Sequence, residues 1–319
     1  MRKMGRTGLK VAPICFGGNV LGWTTDERTS FDVLDAYVAG GGNFIDSADS
    51  YSRWVPGHVG GESETVLGNW MQARGNRTQI VVATKVGNPM GSGPNDRGTS
   101  RGRIMNSVEG SLRRLQTDYI DLYQAHIDDR DTPLEETLRA FDDLVRHGKV
   151  RYIGASNYTA WRLATALGTS DKHGYARYET LQPRYNLAAR EDYERELEPL
   201  CQEQGIGVIT YSSLASGFFS GKYRAGQALP ETPRAQGVQR GYMNEKGFAI
   251  LDAVERVARE HGATPGQVAL AWILARPAIT TPIASATSVE QARELLGAAD
   301  LHLSADALAI LDAASAWRS

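Results

Sequence analysis

Short apolar runs alternate along the chain with longer segments in which apolar residues recur every three to four positions. The runs are rich in β-branched residues and about four to eight residues long, as expected of buried strands. They span residues 11–18, 43–48, 79–85, 119–126, 150–157, 179–183, 206–213 and 279–285. Amphipathic segments typical of helices lie between them, including residues 27–40, 63–74, 103–116, 134–149 and 249–262. This alternation predicts repeated βα units and a parallel sheet.

The number of units favours a closed barrel over an open sheet. Eight βα units are the number found in a (β/α)8 TIM barrel. The main rival, a doubly wound sheet, would follow its first strand with a G-x-G-x-x-G turn, whereas here the first run leads into CFGGN (15–19). We therefore predict an α/β fold: a single TIM-barrel domain over residues 1–319. It would carry an N-terminal β-hairpin, with Gly5 and Gly8 flanking its turn, at the barrel bottom, and a C-terminal helix.

Local signals mark helix ends and two long loops. Residues 132–135 (TPLE) predict an N-cap Thr, a Pro at the first helical position and a capping-box Glu, and residues 264–267 (TPGQ) repeat the device. Gly148 predicts the end of the preceding helix. Two connections, 86–99 and 212–243, are unusually long, and loops of this length within a compact domain are usually functional.

Composition and charge exclude several function classes. The chain is 41% hydrophobic and 23% charged with a net charge of -2, so nothing predicts a nucleic-acid or membrane-surface partner. The two cysteines, Cys15 and Cys201, lie in apolar contexts and predict packing residues in a reducing compartment. The N-terminus has no signal-peptide pattern, and no run approaches the roughly 18 apolar residues of a membrane span. We expect a cytoplasmic protein with a small-molecule substrate, and no pattern specifies an oligomeric state.

Polar residues close or follow the predicted strands. Because TIM-barrel active sites lie at the C-terminal ends of the strands, these side chains are expected to share one face. Each alone has a plain structural explanation as a turn cap, a solvated rim charge, a core histidine or a loop aromatic. Together with Tyr51, five residues after the first of them, they form a constellation. They are Asp46, Lys85, His126, Ser156, Asn157, Gln182 and Tyr211.

Four of these residues suit the reduction of a carbonyl group. The reaction needs a proton donor at the oxygen, and a tyrosine with a pKa near ~10 is a weak acid at neutral pH. A neighbouring Lys85 ammonium is expected to lower the pKa of Tyr51, with Asp46 holding Lys85 charged. His126 would donate to the same oxygen and orient the carbonyl. The six histidines are scattered without H-E-x-x-H or H-x-H, so no metal site is predicted.

At these residues the sequence resembles the aldo-keto reductase superfamily over nearly its whole length. The resemblance is carried by NFIDSADSYSRW (43–54), IVVATKVG (80–87), SLRRLQTDYIDLYQAHIDD (111–129) and GKVRYIGASNY (148–158). The loop 86–99, with its GPNDRG, is similar to the bacterial branch that includes potassium-channel β-subunit-like reductases. The resemblance implies an NADP(H)-dependent oxidoreductase that reduces small aldehydes or ketones, or oxidises the alcohol. Its implied catalytic tetrad is Asp46, Tyr51, Lys85 and His126, with Tyr51 as general acid or base.

The resemblance also implies where the cofactor is bound. YSSLASGFFSGKYR (211–224) resembles the segment that wraps the pyrophosphate, and PIASATSVEQAREL (282–295) the segment that grips the adenosine end. Gln291 stands where an Arg often contacts the 2′-phosphate, and Leu295 where an Asn commonly contacts adenine, so NAD(H) is the alternative cofactor. The implied contacts are Gly18, Asn19, Asp46, Ser156, Asn157, Gln182, Tyr211, Ser212, Leu214, Gly217, Lys222, Ser285, Thr287 and Gln291.

The sequence also predicts a substrate-binding wall and leaves alternative functions open. Trp23 and Trp54 are expected to form an aromatic wall beside Tyr51 and His126, against which an apolar or sugar-ring face would bind. The alternative to a reductase is a cofactor-binding barrel that acts mainly as a redox-sensing partner subunit, as in channel β-subunits. A metal-dependent or sugar-phosphate barrel enzyme rests on fold analogy alone.

Overall fold

A computed structural model describes residues 1–317 of the chain. Eight parallel strands, β3 to β10, close into a barrel in chain order, with β10 paired to β3. This confirms the predicted TIM barrel. The barrel strands are Cys15–Gly17 (β3), Phe44–Asp46 (β4), Val81–Val86 (β5), Ile120–Ala125 (β6), Val150–Ser156 (β7), Tyr178–Gln182 (β8), Gly207–Thr210 (β9) and Ile279–Ala284 (β10).

Helices surround the barrel and link its strands. The helix after β6, for example, buries one face that includes Leu138, Phe141 and Leu144 and leaves charged residues in water. The helices are Glu27–Ala39 (α1), Glu62–Arg74 (α2), Arg101–Leu115 (α3), Leu134–Arg146 (α4), Ala160–His173 (α5), Glu191–Glu194 (α6), Leu197–Gln204 (α7), Ala235–Tyr242 (α8), Glu245–His261 (α9), Pro265–Leu274 (α10), Val289–Gly297 (α11) and Ala305–Ala314 (α12). The last of them is the predicted C-terminal helix.

The predicted N-terminal hairpin forms the floor of the barrel. Strands Arg2–Lys3 (β1) and Lys10–Val11 (β2) pair antiparallel. Met4 and Val11 pack against Leu122 and Ile209 of the barrel interior. Gly5 has φ 51°, and a Cβ there would lie 2.6 Å from the backbone nitrogen of Gly207, so only glycine fits this turn. The hairpin therefore closes the end of the barrel opposite the C-terminal ends of the strands.

The first and seventh apolar runs are longer than the strands they contain. The run 11–18 begins in the hairpin strand β2, and Pro13, which has no N–H to donate, separates it from β3. The run 206–213 leaves the sheet after Thr210, and Tyr211 forms only an isolated bridge to Arg184. The apolar pattern thus predicted the number and order of the strands, but not every strand end.

One of the two predicted capping boxes is wrong. Thr264 caps α10: its side chain accepts from Gln267 N, and its own backbone N–H donates to Gln267 Oε1. By contrast, α4 begins at Leu134 with Pro133 at the N-cap and no side-chain cap. Pro133 has a non-helical ψ of 128°, so the helix begins one residue later than predicted and Thr132 lies outside it, where its Oγ1 donates to Asp129 Oδ2 at 2.7 Å. The other helix signal holds, since Gly148 directly follows the C-cap of α4 with φ 74°.

Both long loops have internal structure. In 86–99, Gly93 N donates to Asp96 Oδ2 and Met90 N to the Asp96 carbonyl, which folds the loop around one aspartate. The loop 212–243 contains a short 3-10 helix, Ala215–Ser220, as well as α8. Across the described part of the chain, no helix is both long and apolar enough to cross a membrane.

Candidate active site

The ends of three neighbouring strands bring the predicted catalytic residues together. Asp46 ends β4, Lys85 is the penultimate residue of β5, and His126 directly follows β6. After Asp46 the chain turns back on itself: Tyr51 N donates to the Ala48 carbonyl, and Ser52 has φ 71°. This turn returns the Tyr51 hydroxyl to the strand ends, although the residue lies outside the barrel sheet.

Three of the four side chains, those of Asp46, Tyr51 and Lys85, form a hydrogen-bonded cluster around the Lys85 ammonium, and His126 stands beside it. Lys85 Nζ lies 2.6 Å from Asp46 Oδ2, 2.7 Å from the Ser47 carbonyl and 2.9 Å from the Tyr51 hydroxyl. The Tyr51 hydroxyl is also 3.3 Å from Asp46 Oδ2. The Lys85 side chain is 0% exposed, so its charge is compensated entirely by these partners. The ring of His126 stands edge-on to that of Tyr51 at 6.0 Å.

Gln124, which was not predicted as a site residue, completes the hydrogen bonding of Asp46. Asp46 Oδ1 accepts from Gln182 Nε2 at 2.8 Å and from Gln124 Nε2 at 3.3 Å. Gln124 is the register partner of Lys85 on the adjacent strand and is fully buried. Strand alternation places Leu122, Gln124 and His126 on one face of β6, and that pattern was the available signal.

The protonation states of the cluster follow from burial and from its internal charges. Burial raises the pKa of Tyr51 to about 12, and this outweighs the lowering effect of the Lys85 ammonium. The expectation that Lys85 makes the pKa of Tyr51 low is therefore wrong in its net direction. Burial opposes the charge of Lys85 as well, but Asp46 and Tyr51 more than compensate and raise the pKa of the ammonium. Tyr51 is thus a protonated phenol beside a stable ammonium.

His126 is held as a neutral imidazole. Burial, with a smaller contribution from Lys85, lowers the pKa of His126 to about 3. The Asn88 side-chain nitrogen lies 3.1 Å from Nδ1 and 3.4 Å from Nε2 of the ring. Asn88 was not predicted as a site residue. A neutral imidazole has one N–H to donate, so His126 can orient a carbonyl oxygen without delivering a charge.

An elongated cavity of about 860 Å³ opens above this cluster. It lies between the strand ends and the loop 212–243. Gly18, Asp46, Lys85, Trp23 and Trp54 are absent from its lining, and Gly17 lines it where Gly18 was predicted. A Cβ at Gly18 would lie 2.9 Å from the Asp46 carbonyl, because Gly18 packs against β4. The predicted residues that line it are Asn19, Tyr51, His126, Ser156, Asn157, Gln182, Tyr211, Ser212, Leu214, Gly217, Lys222, Ser285, Thr287 and Gln291.

Next to the cluster, four of the residues predicted to contact the cofactor are linked to one another by hydrogen bonds. Asn157, with φ 61°, donates from Nδ2 to the His126 carbonyl at 2.9 Å. Its Oδ1 accepts from the Tyr211 hydroxyl at 2.9 Å. Ser156 Oγ donates to the Gln182 carbonyl at 2.9 Å. Since Gln182 gives its N–H to Asp46, its side-chain oxygen remains as an acceptor for an amide N–H.

The middle of the cavity carries two cations. Lys222 lines it beside Gly217, where the backbone has φ 94°, and burial lowers the pKa of Lys222. Arg234, which was not predicted, extends from the start of α8 with its guanidinium 5.4 Å from the centre of the Trp23 ring. Burial lowers its pKa too, and within residues 1–317 its buried Nη2 has no hydrogen-bond partner. Glu231, from the same loop as Arg234, also lines the cavity, so the two cations face one carboxylate there. The excess of positive charge suits an anion.

The far end of the cavity is polar and carries one carboxylate. Thr287 Oγ1 donates to Gln291 Oε1 at 3.0 Å, and Ser288 caps α11 by accepting from Gln291 N. Ser285 Oγ donates to Asn19 Oδ1 at 2.7 Å, which links the first and last barrel strands. Glu294 accepts from Thr264 Oγ1. This end therefore offers hydroxyls and a helix N-terminus.

The two tryptophans predicted to line the substrate site pack on each other at the rim. Their rings meet edge to face at 5.2 Å, and the Trp54 ring stands 6.1 Å from that of Tyr51. Trp54 is 51% exposed, so one of its faces is open to solvent. The pair borders the tyrosine without lining the cavity.

Several known proteins are similar to this chain over nearly its whole length. The model of the Aldo/keto reductase family matches residues 13–316. The chain is 38% identical over 314 residues to the "Uncharacterized oxidoreductase YrpG" of Bacillus subtilis, covering 97% of this chain and 94% of that protein. It is 34% identical over 311 residues to the "Probable voltage-gated potassium channel subunit beta" of Arabidopsis thaliana, covering 94% and 91% of the two chains.

A third relative has a named reductase activity. The chain is 31% identical over 320 residues to the "Norsolorinic acid reductase" of Aspergillus flavus, covering 96% of this chain and 78% of that protein. These matches agree with the motifs that carried the resemblance and with the branch they indicated. This chain therefore belongs to the aldo/keto reductase family and is a carbonyl-reducing oxidoreductase of that class.

Proposed function

We propose that this chain, as one domain over residues 1–319, uses NADP(H) to reduce the carbonyl group of small aldehydes or ketones, or to oxidise the alcohol, with Tyr51 as general acid or base. The observation that carries the proposal is the position of the Tyr51 hydroxyl. It lies 2.9 Å from the Lys85 ammonium and lines the same cavity as His126. NADPH consumption with a reactive aldehyde such as 4-nitrobenzaldehyde tests it. Tight NADPH binding without turnover would instead favour a redox-sensing partner subunit.

In the proposed mechanism, the carbonyl oxygen binds between Tyr51 and His126. The neutral N–H of His126 orients the carbonyl, whose carbon would receive a hydride from a nicotinamide held by Asn157 and Gln182. As negative charge develops on the oxygen, the Tyr51 hydroxyl transfers its proton there. The Lys85 ammonium then stabilises the tyrosinate that remains, while Asp46 keeps the lysine charged and in place. The raised pKa of Tyr51 keeps the donor protonated at neutral pH.

The donor set of the cavity fits a dinucleotide. About 860 Å³ is within the usual range for cofactor sites of roughly 300–1,000 Å³. Lys222 and Arg234 would hold the two phosphates of the pyrophosphate, since buried cations need an anionic partner. Ser156, Asn157 and Gln182 would bind the carboxamide, and Tyr211 would stack on the nicotinamide ring. The adenosine end would lie against Ser285, Thr287 and Gln291.

We expect a modest preference for NADPH over NADH. The 2′-phosphate would meet hydroxyls and the N-terminus of α11 rather than a lysine or arginine, so its contribution should be about 1–3 kcal/mol, the scale of one or two charge-assisted hydrogen bonds. The ratio of kcat/KM for the two cofactors with one aldehyde measures it. Equal values, or a preference for NADH, would contradict the assignment of NADP(H).

A designed cation tests the same end of the cavity. Thr287→Arg should shift the kcat/KM ratio further toward NADPH, because a guanidinium pairs with a phosphate through two hydrogen bonds. Thr159→Arg is the matched control, since Thr159 is an exposed N-cap residue of α5 outside the cavity lining. No shift in Thr287→Arg would mean that the 2′-position lies elsewhere.

Gln124 supplies a second test, directed at Asp46. Gln124→Leu removes one of the N–H donors to Asp46 Oδ1, and a hydrogen bond to a charged group contributes about 1.5–3 kcal/mol. We expect kcat to fall roughly tenfold or more with little change in KM for NADPH. Thr180→Val is the control, because the buried Thr180 hydroxyl has no partner within the described residues. Unchanged kcat in Gln124→Leu would show that Asp46 does not need this donor.

A further inference from the structure

A buried ion pair lies behind the segment that carries Tyr51. Asp49, two residues before Tyr51, is 1% exposed, and its Oδ2 lies 2.8 Å from Arg103 Nη2 in the first turn of α3. The Asp49 backbone N–H also donates to the Lys85 carbonyl at 3.2 Å. Neither side chain belongs to the tetrad or lines the cavity. A buried pair this close to the reacting groups constrains where they lie.

The same guanidinium reaches a second segment of the site. Arg103 Nη2 donates to the main-chain carbonyl of Asn88 at 3.4 Å. The Asn88 side chain in turn contacts the ring of His126 and, at 3.5 Å, Ser50 Oγ. Arg103 therefore joins the turn that follows β4 to the loop that follows β5. Tyr51 lies in one of these segments, and the neighbour of His126 lies in the other.

The surroundings of Asp49 are polar but incompletely paired. Within residues 1–317, Asp49 Oδ1, Arg103 Nε and the Tyr123 hydroxyl are buried without hydrogen-bond partners. The other charged neighbours of Asp49 are Glu64 and Arg114, which pair with each other at 2.7 Å. The Asp49 carboxylate thus depends on a single guanidinium contact. Its negative charge is weakly compensated for so buried a site.

We propose that Asp49 and Arg103 are positioning residues for this reaction, and that the pair holds the segments of Tyr51 and Asn88 in place only while Asp49 is ionised. The inference rests on the proposed function, since it concerns the geometry of the same reducing centre. Protonated Asp49 loses its charge-assisted bond to Arg103, and the two segments lose their shared anchor. Misplacing a catalytic group by about 1 Å can lower the rate by as much as 10²-fold.

The titration should fall in an accessible pH range. Burial, as the largest effect, raises the pKa of Asp49 to about 7, with Glu64 adding to the rise and Arg103 and Arg114 opposing it. The tetrad does not obscure this range, because the pKa of His126 is about 3 and that of Tyr51 about 12. Since the ionised carboxylate is the competent form, kcat should fall as the pH drops through about 7.

The test compares kcat for aldehyde reduction between about pH 5.5 and pH 8.5, at saturating NADPH, in the wild type and Asp49→Asn. The amide resembles the protonated acid, so Asp49→Asn should give a flat profile. The ratio of wild-type to variant kcat should be roughly tenfold at high pH and approach one at low pH. A constant ratio, or an unchanged acidic limb in Asp49→Asn, would overturn the proposal. A wild type without turnover would instead contradict the proposed function.

Two further variants separate positioning from general stability. Asp121→Asn removes a buried carboxylate paired with Arg77 and Arg151 at the start of β6, away from the cavity, and should keep the acidic limb. Arg103→Lys keeps a positive charge near Asp49 but lacks the reach of the guanidinium. Its kcat should therefore lie between those of the wild type and Asp49→Asn, with KM for NADPH unchanged. Hydrogen exchange at constant pH provides a readout without turnover. Peptides covering residues 47–54 should exchange faster in Asp49→Asn than in the wild type, and equal rates would count against the proposal.

Discussion

Replacing Tyr51 by Phe should lower turnover by about 10²–10⁴-fold, the contribution typical of a general acid. The substitution removes the hydroxyl that lies 2.9 Å from Lys85 Nζ and keeps the ring that packs against Trp54 and His126. The fold and NADPH affinity should therefore persist. Steady-state kinetics and a fluorescence titration with NADPH measure the two properties separately.

Tyr158→Phe is the matched control for this substitution. It removes a buried tyrosine hydroxyl that bonds only to Tyr178 within the described chain, away from the tetrad. Its kcat should stay close to that of the wild type. If Tyr51→Phe kept a near-wild-type kcat, another group would have to supply the proton and the assignment of Tyr51 would fail.

Replacing Lys85 by Met should nearly abolish turnover and also destabilise the fold. Met fills a similar volume, but Asp46 then loses the ammonium at 2.6 Å and keeps an uncompensated buried charge. Breaking a buried pair in this way costs about 3–5 kcal/mol. The pKa of Tyr51 should rise further, because the one lowering charge beside it is gone. Urea unfolding and a pH–rate profile measure the two effects.

The change of folding stability with pH provides an independent test of the charge on Lys85. The pKa of Lys85 is raised in the folded protein, so its stabilising contribution is fully present below its unfolded pKa of roughly 10.4. That contribution is lost as the pH rises through the folded-state pKa, and Lys85→Met should not show this loss. Lys149→Met, which removes the lysine of a partly exposed pair with Glu109, is the control. A phenolic limb at the same pH in the wild type and Lys85→Met would contradict the Lys85–Tyr51 pairing.

The strand-end residues could be predicted because they depend on local pattern and on fold class. Asp46, Lys85 and His126 each follow an apolar run, and a parallel barrel brings such positions to one rim. The return of Tyr51 is different, since it depends on a turn with Ser52 at φ 71° that no apolar pattern specifies. Its assignment rested on its spacing of five residues from Asp46, on the need for a proton donor, and on the family resemblance.

Other features of the site depend on how deeply a side chain is buried and on how the loops fold. The pKa of Tyr51 could not be predicted because burial, which exceeds the effect of Lys85, is a property of the assembled site. The predicted cap of α4 was wrong because Pro133 takes a non-helical ψ of 128°, which starts the helix one residue later than the Thr-Pro pattern predicts. Arg234 lies in a loop whose sequence pattern gave no reason to place it over the cavity, and only the folded loop brings it to Trp23.

The proposed catalytic residues and most of the proposed cofactor residues lie in different halves of the chain. The tetrad lies within residues 46–126, on β4 to β6, whereas most of the proposed cofactor contacts lie within 156–291, on β7 to β10 and the loops that follow them. The boundary between the halves falls at the exposed turn around Gly148, where an added Cβ would meet no atom within 4 Å. A division at that turn would keep the residues proposed for proton transfer in one contiguous block of sequence. The residues proposed for cofactor preference and those proposed for carbonyl chemistry are therefore encoded by separate stretches of one barrel.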